Sequence, residues 1–298
     1  MRPVASWMFS TLLVICSLAA CGADHALDPG PDAGAVGTPG YTPLVTGTWT
    51  LPASTELYRC VRLTATQDTW ITSIHPIAPS GTHHTVLMVG PPDAADGDTL
   101  CDSSLVKPAL YASGVGTDAL TLPAGVAIKV AAGQQLLLNL HLFNASDAPL
   151  SGTSGIEVET TTAAAVSHEA GAVLIGKDAG LVVPPGASTQ TGTCTMPAGV
   201  TLFAMAPHMH LLGRHMKVSY QGTAARVLYD QDYTFEGQRY ATMAPALTSA
   251  GGDQLTVDCS YMNATGTTVR FGEHTTQEMC YALALIYPAP AMRGTCTR

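Results

Sequence analysis

Thr85-Val86-Leu87-Met88-Val89, closed by Gly90-Pro91-Pro92, sets the character of this chain. A short run of β-branched and long apolar residues that stops at a Gly-Pro cluster reads as a strand entering a turn. Outward from it the same unit recurs. Leu138-Asn139-Leu140-His141-Leu142-Phe143-Asn144 alternates, and Arg226-Val227-Leu228-Tyr229 stops at Asp230. Helical periodicity is nearly absent, so the expected class is all-β, with two tandem antiparallel β-sandwich domains of jelly-roll type. The Thr-, Ala- and Gly-rich stretch from Ser151 to Ala172 has the composition of a connection or an edge strand. Placing the boundary there gives an N-terminal domain over residues 44–160 and a C-terminal one over 161–298.

The first residues indicate export. Arg2 precedes an apolar run from Trp7 to Ala20, and Leu18-Ala19-Ala20 leads into Cys21. This resembles a bacterial lipoprotein signal over residues 1–21, cut before Cys21 and lipidated there; an ordinary cleaved secretory peptide is the other reading. Residues 22–43, rich in Gly, Pro, Ala and Asp, read as a flexible stalk. Gly22 after the anchor favours the outer membrane of a Gram-negative bacterium, with membrane contact only through the lipid. The 298 residues carry 13 Lys+Arg against 22 Asp+Glu, a net charge of −9, which argues against nucleic acid as a partner.

Beyond the export segment lie Cys60, Cys101, Cys194, Cys259, Cys280 and Cys296. An even number in an oxidising compartment suggests disulfides, and six cysteines allow about 15 pairings among which sequence alone does not choose. Pairing Cys60 with Cys101 is the economical choice within the first domain.

The histidines carry the chemistry. In Pro207-His208-Met209-His210 the imidazoles stand two apart, so in a strand both project from one face and can meet one ion. His83 and His84 are neighbours, which a regular strand sends to opposite faces. Sharing a metal would require a strand end, a bulge, or binding through the nearer ring nitrogen. His141 faces away from Leu138, Leu140 and Leu142 and would otherwise be a hydrogen-bonded histidine at a sheet surface. Met279, beside Cys280, would ordinarily be core filler. An HxH pair in the same half gives its thioether a second reading, because soft sulfur suits Cu(I) and imidazole suits both copper states.

Taken in order, His83-His84-Thr85-Val86, Leu138-Asn139-Leu140-His141, His208-Met209-His210-Leu211-Leu212-Gly213-Arg214, Gly252-Asp253 leading to Cys259, and Gln277-Glu278-Met279-Cys280 resemble the copper type II, ascorbate-dependent monooxygenases. This is the family of peptidylglycine α-hydroxylating monooxygenase and dopamine β-hydroxylase, and the similarity runs from about Gly47 to the C-terminus. It implies two copper ions, one per domain: an electron-transferring one on His83, His84 and His141, and an oxygen-binding, catalytic one on His208, His210 and Met279. It further implies disulfides Cys60–Cys101, Cys194–Cys296 and Cys259–Cys280, a small organic substrate hydroxylated with O2, and ascorbate or another external reductant.

Departures from the family bear on substrate. Ala206 stands where the peptidylglycine enzymes use an arginine to grip a carboxylate, and Tyr281, Ala282 and Leu283 replace their polar pattern. A C-terminal peptide glycine is therefore not the expected substrate. Asn139 takes the place of a common glutamine two before the third histidine. His215 and His274 are further metal candidates of lower rank, while His75, His168 and His25 read as structural, surface or stalk residues. The rival function is an exported copper carrier without catalysis. A zinc hydrolase fits less well, since a thioether is a poor zinc ligand.

Overall fold

Alternation decides most strands. Asp253–Asn263 buries every second residue and pairs along its whole length with Gly186–Met196. Gln135–Asn144 departs from that pattern, with every residue but Phe143 buried, because it is the middle strand of its sheet and is covered on both faces. The computed structural model describes residues 38–298 except 103–106, 115, 236, 273, 290, 291, 293 and 298. The proposed signal, Cys21, His25 and most of the stalk lie outside the described residues. The end of the stretch read as stalk belongs to the body: a strand begins at Thr42, and the Tyr41 hydroxyl lies 2.6 Å from that of Ser73.

The chain is all-β, and among the described residues helical geometry is confined to short 3-10 pieces, at Ala163–Ala165 and at Ala289. One ten-stranded sheet runs through the whole body. Its main path is Thr42–Leu51, Leu150–Thr161, Thr69–Ile77, Val126–Val130, His168–Lys177, Cys280–Tyr287, Thr201–His208 and Ala241–Thr248. A five-stranded sheet, ordered Gly97–Cys101, Thr55–Thr64, Gln135–Asn144, Thr82–Gly90 and Ala109–Gly114, covers its first part. Trp49, Ile71 and Ile74 meet Leu138, Leu140 and Leu142 in the core between them. A four-stranded sheet of Gly186–Met196, Asp253–Asn263, Gly213–Gln221 and Arg226–Asp232 covers the later part, and Val173, Ile175 and Ile286 pack there on Val218, Leu255 and Val257.

The sheets are not purely antiparallel. His168–Lys177 runs parallel to Val126–Val130 on one side and to Gly294–Thr297 in the other half, and through the first of these the two sandwiches share one sheet. Leu150–Thr161, within the stretch of connection-like composition, is an interior strand between Thr42–Leu51 and Thr69–Ile77. Its small residues serve packing. A Cβ on Gly155 would stand 2.5 Å from the Val45 carbonyl oxygen, and one on Gly152 would stand 2.8 Å from the Trp49 ring. The cysteines pair as Cys60–Cys101, Cys194–Cys296 and Cys259–Cys280, the set implied by the resemblance.

Candidate metal centres

The first cluster stands on two paired strands. His84 faces His141 in register across Thr82–Gly90 and Gln135–Asn144, and the register slips between Thr82 and His84. That slip is a β-bulge with His83 as the extra residue, and it turns two adjacent histidines to one side, as a regular strand does not. His84 Nδ1 lies 3.2 Å from His83 Nδ1 and 3.2 Å from His141 Nδ1. One potential ligand atom from each of the three histidines falls within 4.8 Å of the other two.

A ring nitrogen carries either one hydrogen or one lone pair, so His84 Nδ1 satisfies only one of these two contacts by hydrogen bonding. A cation satisfies both. The spacing is also that of imidazole nitrogens each about 2 Å from a shared metal. His141 Nε2 is 2.6 Å from Glu56 Oε1, which makes Nε2 the donor and turns the Nδ1 lone pair toward the cluster. The Tyr58 ring stacks on His141 at 4.4 Å and 5°. Burial, then the neighbouring histidines His141, His83, His208 and His210, hold His84 well below the usual histidine range and keep it neutral. Asn139 points elsewhere: its Nδ2 donates to the Asp102 carbonyl at 2.7 Å, beside the Cys60 and Cys101 sulfurs.

The second cluster sits at strand ends. His208 is the last residue of Thr201–His208, and Met209 and His210 have already left the strand. Same-face projection in one strand is therefore not what orients the pair. His210 is held by its backbone, whose N–H donates to Glu278 Oε2 at 2.9 Å, while Leu212 N–H donates to Oε1 at 2.7 Å. The same carboxylate receives Met279 N–H at 3.3 Å, so one buried side chain ties the HxH turn to the methionine. Burial pushes Glu278 up to about 7 against the pull of these three N–H groups.

Both rings spend Nδ1 on the protein. His208 Nδ1 donates to Gln238 Oε1 at 2.8 Å, an orientation fixed because Gln238 Nε2 donates to the Phe235 carbonyl at 2.7 Å. His210 Nδ1 donates to the Gln277 carbonyl at 3.0 Å. The Nε2 lone pairs are left for a ligand. Burial, then His208, lowers His210 to about 3, and burial lowers His208, so both rings are neutral donors. The Cys259–Cys280 bridge is next to Met279, whose carbonyl accepts the Tyr261 hydroxyl at 2.7 Å.

Both clusters open on one pocket of about 840 Å³, its mouth included. His84 reaches it from one side and His208, His210 and Met279 from the other. Between them lies Phe235, its ring 4.9 Å from His83, 6.4 Å from His84 and 6.2 Å from His210. The loop that carries it is tied down at both ends: Tyr233 donates its hydroxyl to the Met209 carbonyl, and Tyr240 stacks on Tyr111 at 5.3 Å.

Residues 168–298 match the C-terminal domain of the copper type II ascorbate-dependent monooxygenases. Over those residues the chain is similar to that family. It is similar to DBH-like monooxygenase protein 1 of Mus musculus, 27% identical over 220 residues that cover 66% of this chain and 35% of that protein. The Gallus gallus protein of the same name is 27% identical over 202 residues, covering 60% of the chain and 33% of the relative. MOXD1 homolog 1 of Drosophila melanogaster is 24% identical over 223 residues, covering 66% and 32%. The chain thus spans about a third of the length of these relatives.

The chain brings His83, His84 and His141 together at one point and His208, His210 and Met279 around one pocket. Of the lower-ranked histidines, His274 stands near His210, which its backbone meets as a hydrogen-bond partner, while His215 lies apart from both clusters. His215 has Nδ1 on Asp232 and Nε2 on Asp230 at 3.0 and 2.8 Å on an exposed sheet face. The exposed His274 gives its carbonyl to the Gln277 N–H, His75 lies 2.7 Å from the Glu157 carboxylate, and His168 stacks on Tyr287 at 5.1 Å. Glu56, Tyr58, Phe235, Gln238 and Glu278 were not foreseen. Register places Tyr58 opposite His141, and chain folding alone brings Phe235 to both clusters.

Proposed function

We propose that this chain is a copper-dependent monooxygenase that inserts one oxygen atom of O2 into a C–H bond of a small organic substrate. The other oxygen leaves as water, with two electrons from ascorbate or another external reductant and two protons. The observation that carries this reading is the shared pocket, on which a three-imidazole cluster and a mixed imidazole and thioether cluster both open. His83, His84 and His141 would hold one copper through Nδ1, and His208, His210 and Met279 the other through Nε2 and sulfur. When bound, copper supplies one-electron chemistry and a coordination position for O2.

The chain's own residues set the conditions. Glu56 keeps His141 in the tautomer whose Nδ1 is a lone-pair donor, and Gln238 and the Gln277 carbonyl do the converse for His208 and His210. Phe235 fills space between the clusters and so limits water there. Cys21 and the residues around it fit export and lipid anchoring at an outer membrane, a reading that fatty-acid labelling of the wild type and Cys21→Ser would check.

The test is copper quantification followed by ascorbate-driven O2 uptake with mass analysis of the product. Two coppers per chain, and a product heavier by one oxygen that carries label from 18O2, are expected. Two tightly bound coppers with no product from any substrate would point instead to a copper carrier.

A further inference from the structure

Resting on that reading, we infer that the substrate is an uncharged, largely apolar molecule, with neither the ammonium nor the carboxylate that a polar small-molecule pocket would grip. The walls decide this. Ala206 and Leu283 flank His208 and Met279 on one side, and Val86, Ala109 and Ala112 stand on the other. Among the described residues lining the pocket there is no Asp, Glu, Lys or Arg.

The side chains Tyr58, Thr85, Ser113, Gln238 and Thr275 that reach the pocket are uncharged, and three of them are already engaged. Thr85 and Ser113 hydroxyls bond each other at 2.7 Å, both residues being buried. Gln238 spends its oxygen on His208 at 2.8 Å and its nitrogen on the Phe235 carbonyl at 2.7 Å. Tyr58 stacks its ring on His141 at 4.4 Å and adds an aromatic face to the lining. A charged group seated here would lose its water without gaining a counter-ion, which costs far more than an apolar group gains. Apolar walls with a few neutral hydrogen-bonding groups suit an aromatic or aliphatic body that presents a C–H bond to the Met279 side.

The test uses the copper-loaded protein and sets of one shape and three charges: 2-phenylethanol, 2-phenylethylamine and 3-phenylpropionate, then hexanol, hexylamine and hexanoate. Calorimetry gives Kd and mass analysis gives product. The neutral member of a set is expected to bind at least about tenfold more tightly than either ion. An ion that binds as tightly as its neutral partner, or no binding in either set, overturns the inference. Product formation is scored separately: selective binding of neutral compounds with no hydroxylation would sink the monooxygenase reading and leave the ligand class standing. Ala112→Asp is expected to reverse the order and bring the amine to parity or better, with Ala109→Asp as the second variant if the first fails to load copper. An unchanged order in a copper-loaded variant would overturn the inference.

Discussion

The two clusters are built on opposite plans. His84 and His141 stand on paired strands inside a five-stranded sheet, and one bulge adds His83. There the backbone ladder itself holds the rings, and the outer support, Glu56, is a half-exposed carboxylate. The other cluster sits where a strand ends at His208, and it hangs from a buried carboxylate that collects N–H groups of His210, Leu212 and Met279. A sheet can fix imidazoles with little help, whereas ligands on turns require a partner that gathers their backbone. Second-sphere changes should therefore damage the turn-borne cluster more than the strand-borne one.

The sharpest break comes from Met279→Ala, which should abolish hydroxylation while one copper per chain remains on His83, His84 and His141; metal analysis beside product assay checks this, and full activity would refute the assignment. Glu278→Gln comes next. An amide offers one acceptor oxygen and sets its NH2 against N–H donors, so copper affinity at the His208 cluster should fall by about 10- to 100-fold. Competitive chelator titration should show the His83 cluster unchanged, and equal weakening at both would erase the contrast.

Acid gives a third test on the copper-free protein. An unfolded histidine titrates near about 6.5, while folded His210 titrates at about 3. Between those values the unfolded chain binds a proton that the folded chain refuses. Its contribution is thus complete above the unfolded value and is lost as pH falls below it, roughly 2 kcal/mol by pH 5 for this group. Urea titrations of the wild type should be steeper in pH than those of His210→Gln, and parallel profiles would contradict the burial argument. The smallest effect belongs to Glu56→Gln, which should weaken copper at the strand-borne cluster only a few-fold. A loss as large as that from Glu278→Gln would show that exposure is a poor guide to such support.

Alternation made the β class legible, and the family resemblance carried by motif order, not cysteine parity, implied the three pairings that the fold shows and named the ligand candidates. Sequence reading stopped where register and loop packing begin. That His83 and His84 share a side depends on a slip of one residue against Gln135–Asn144, and no local feature of Thr82-His83-His84-Thr85 announces it. The HxH pair was legible as a chelate for a reason that does not operate, since His210 lies beyond the strand and owes its place to Glu278, 68 positions away. Leu150–Thr161 looked like a connection because its glycines and threonines are small, yet smallness is what lets Trp49 and Val45 close over it. Asn139 sits two before His141 and supports the Cys60–Cys101 bridge instead.

The parallel ladder between Val126–Val130 and His168–Lys177 has a practical side. Expressing the trailing half from residue 168 onward would strip that partner away and leave unpaired backbone donors and acceptors along His168, Glu169 and Ala170, an open rim onto which other chains add strands. Such a fragment is expected to self-associate, and attempts to study one copper alone are better made by substituting ligands in the intact body than by cutting it in two.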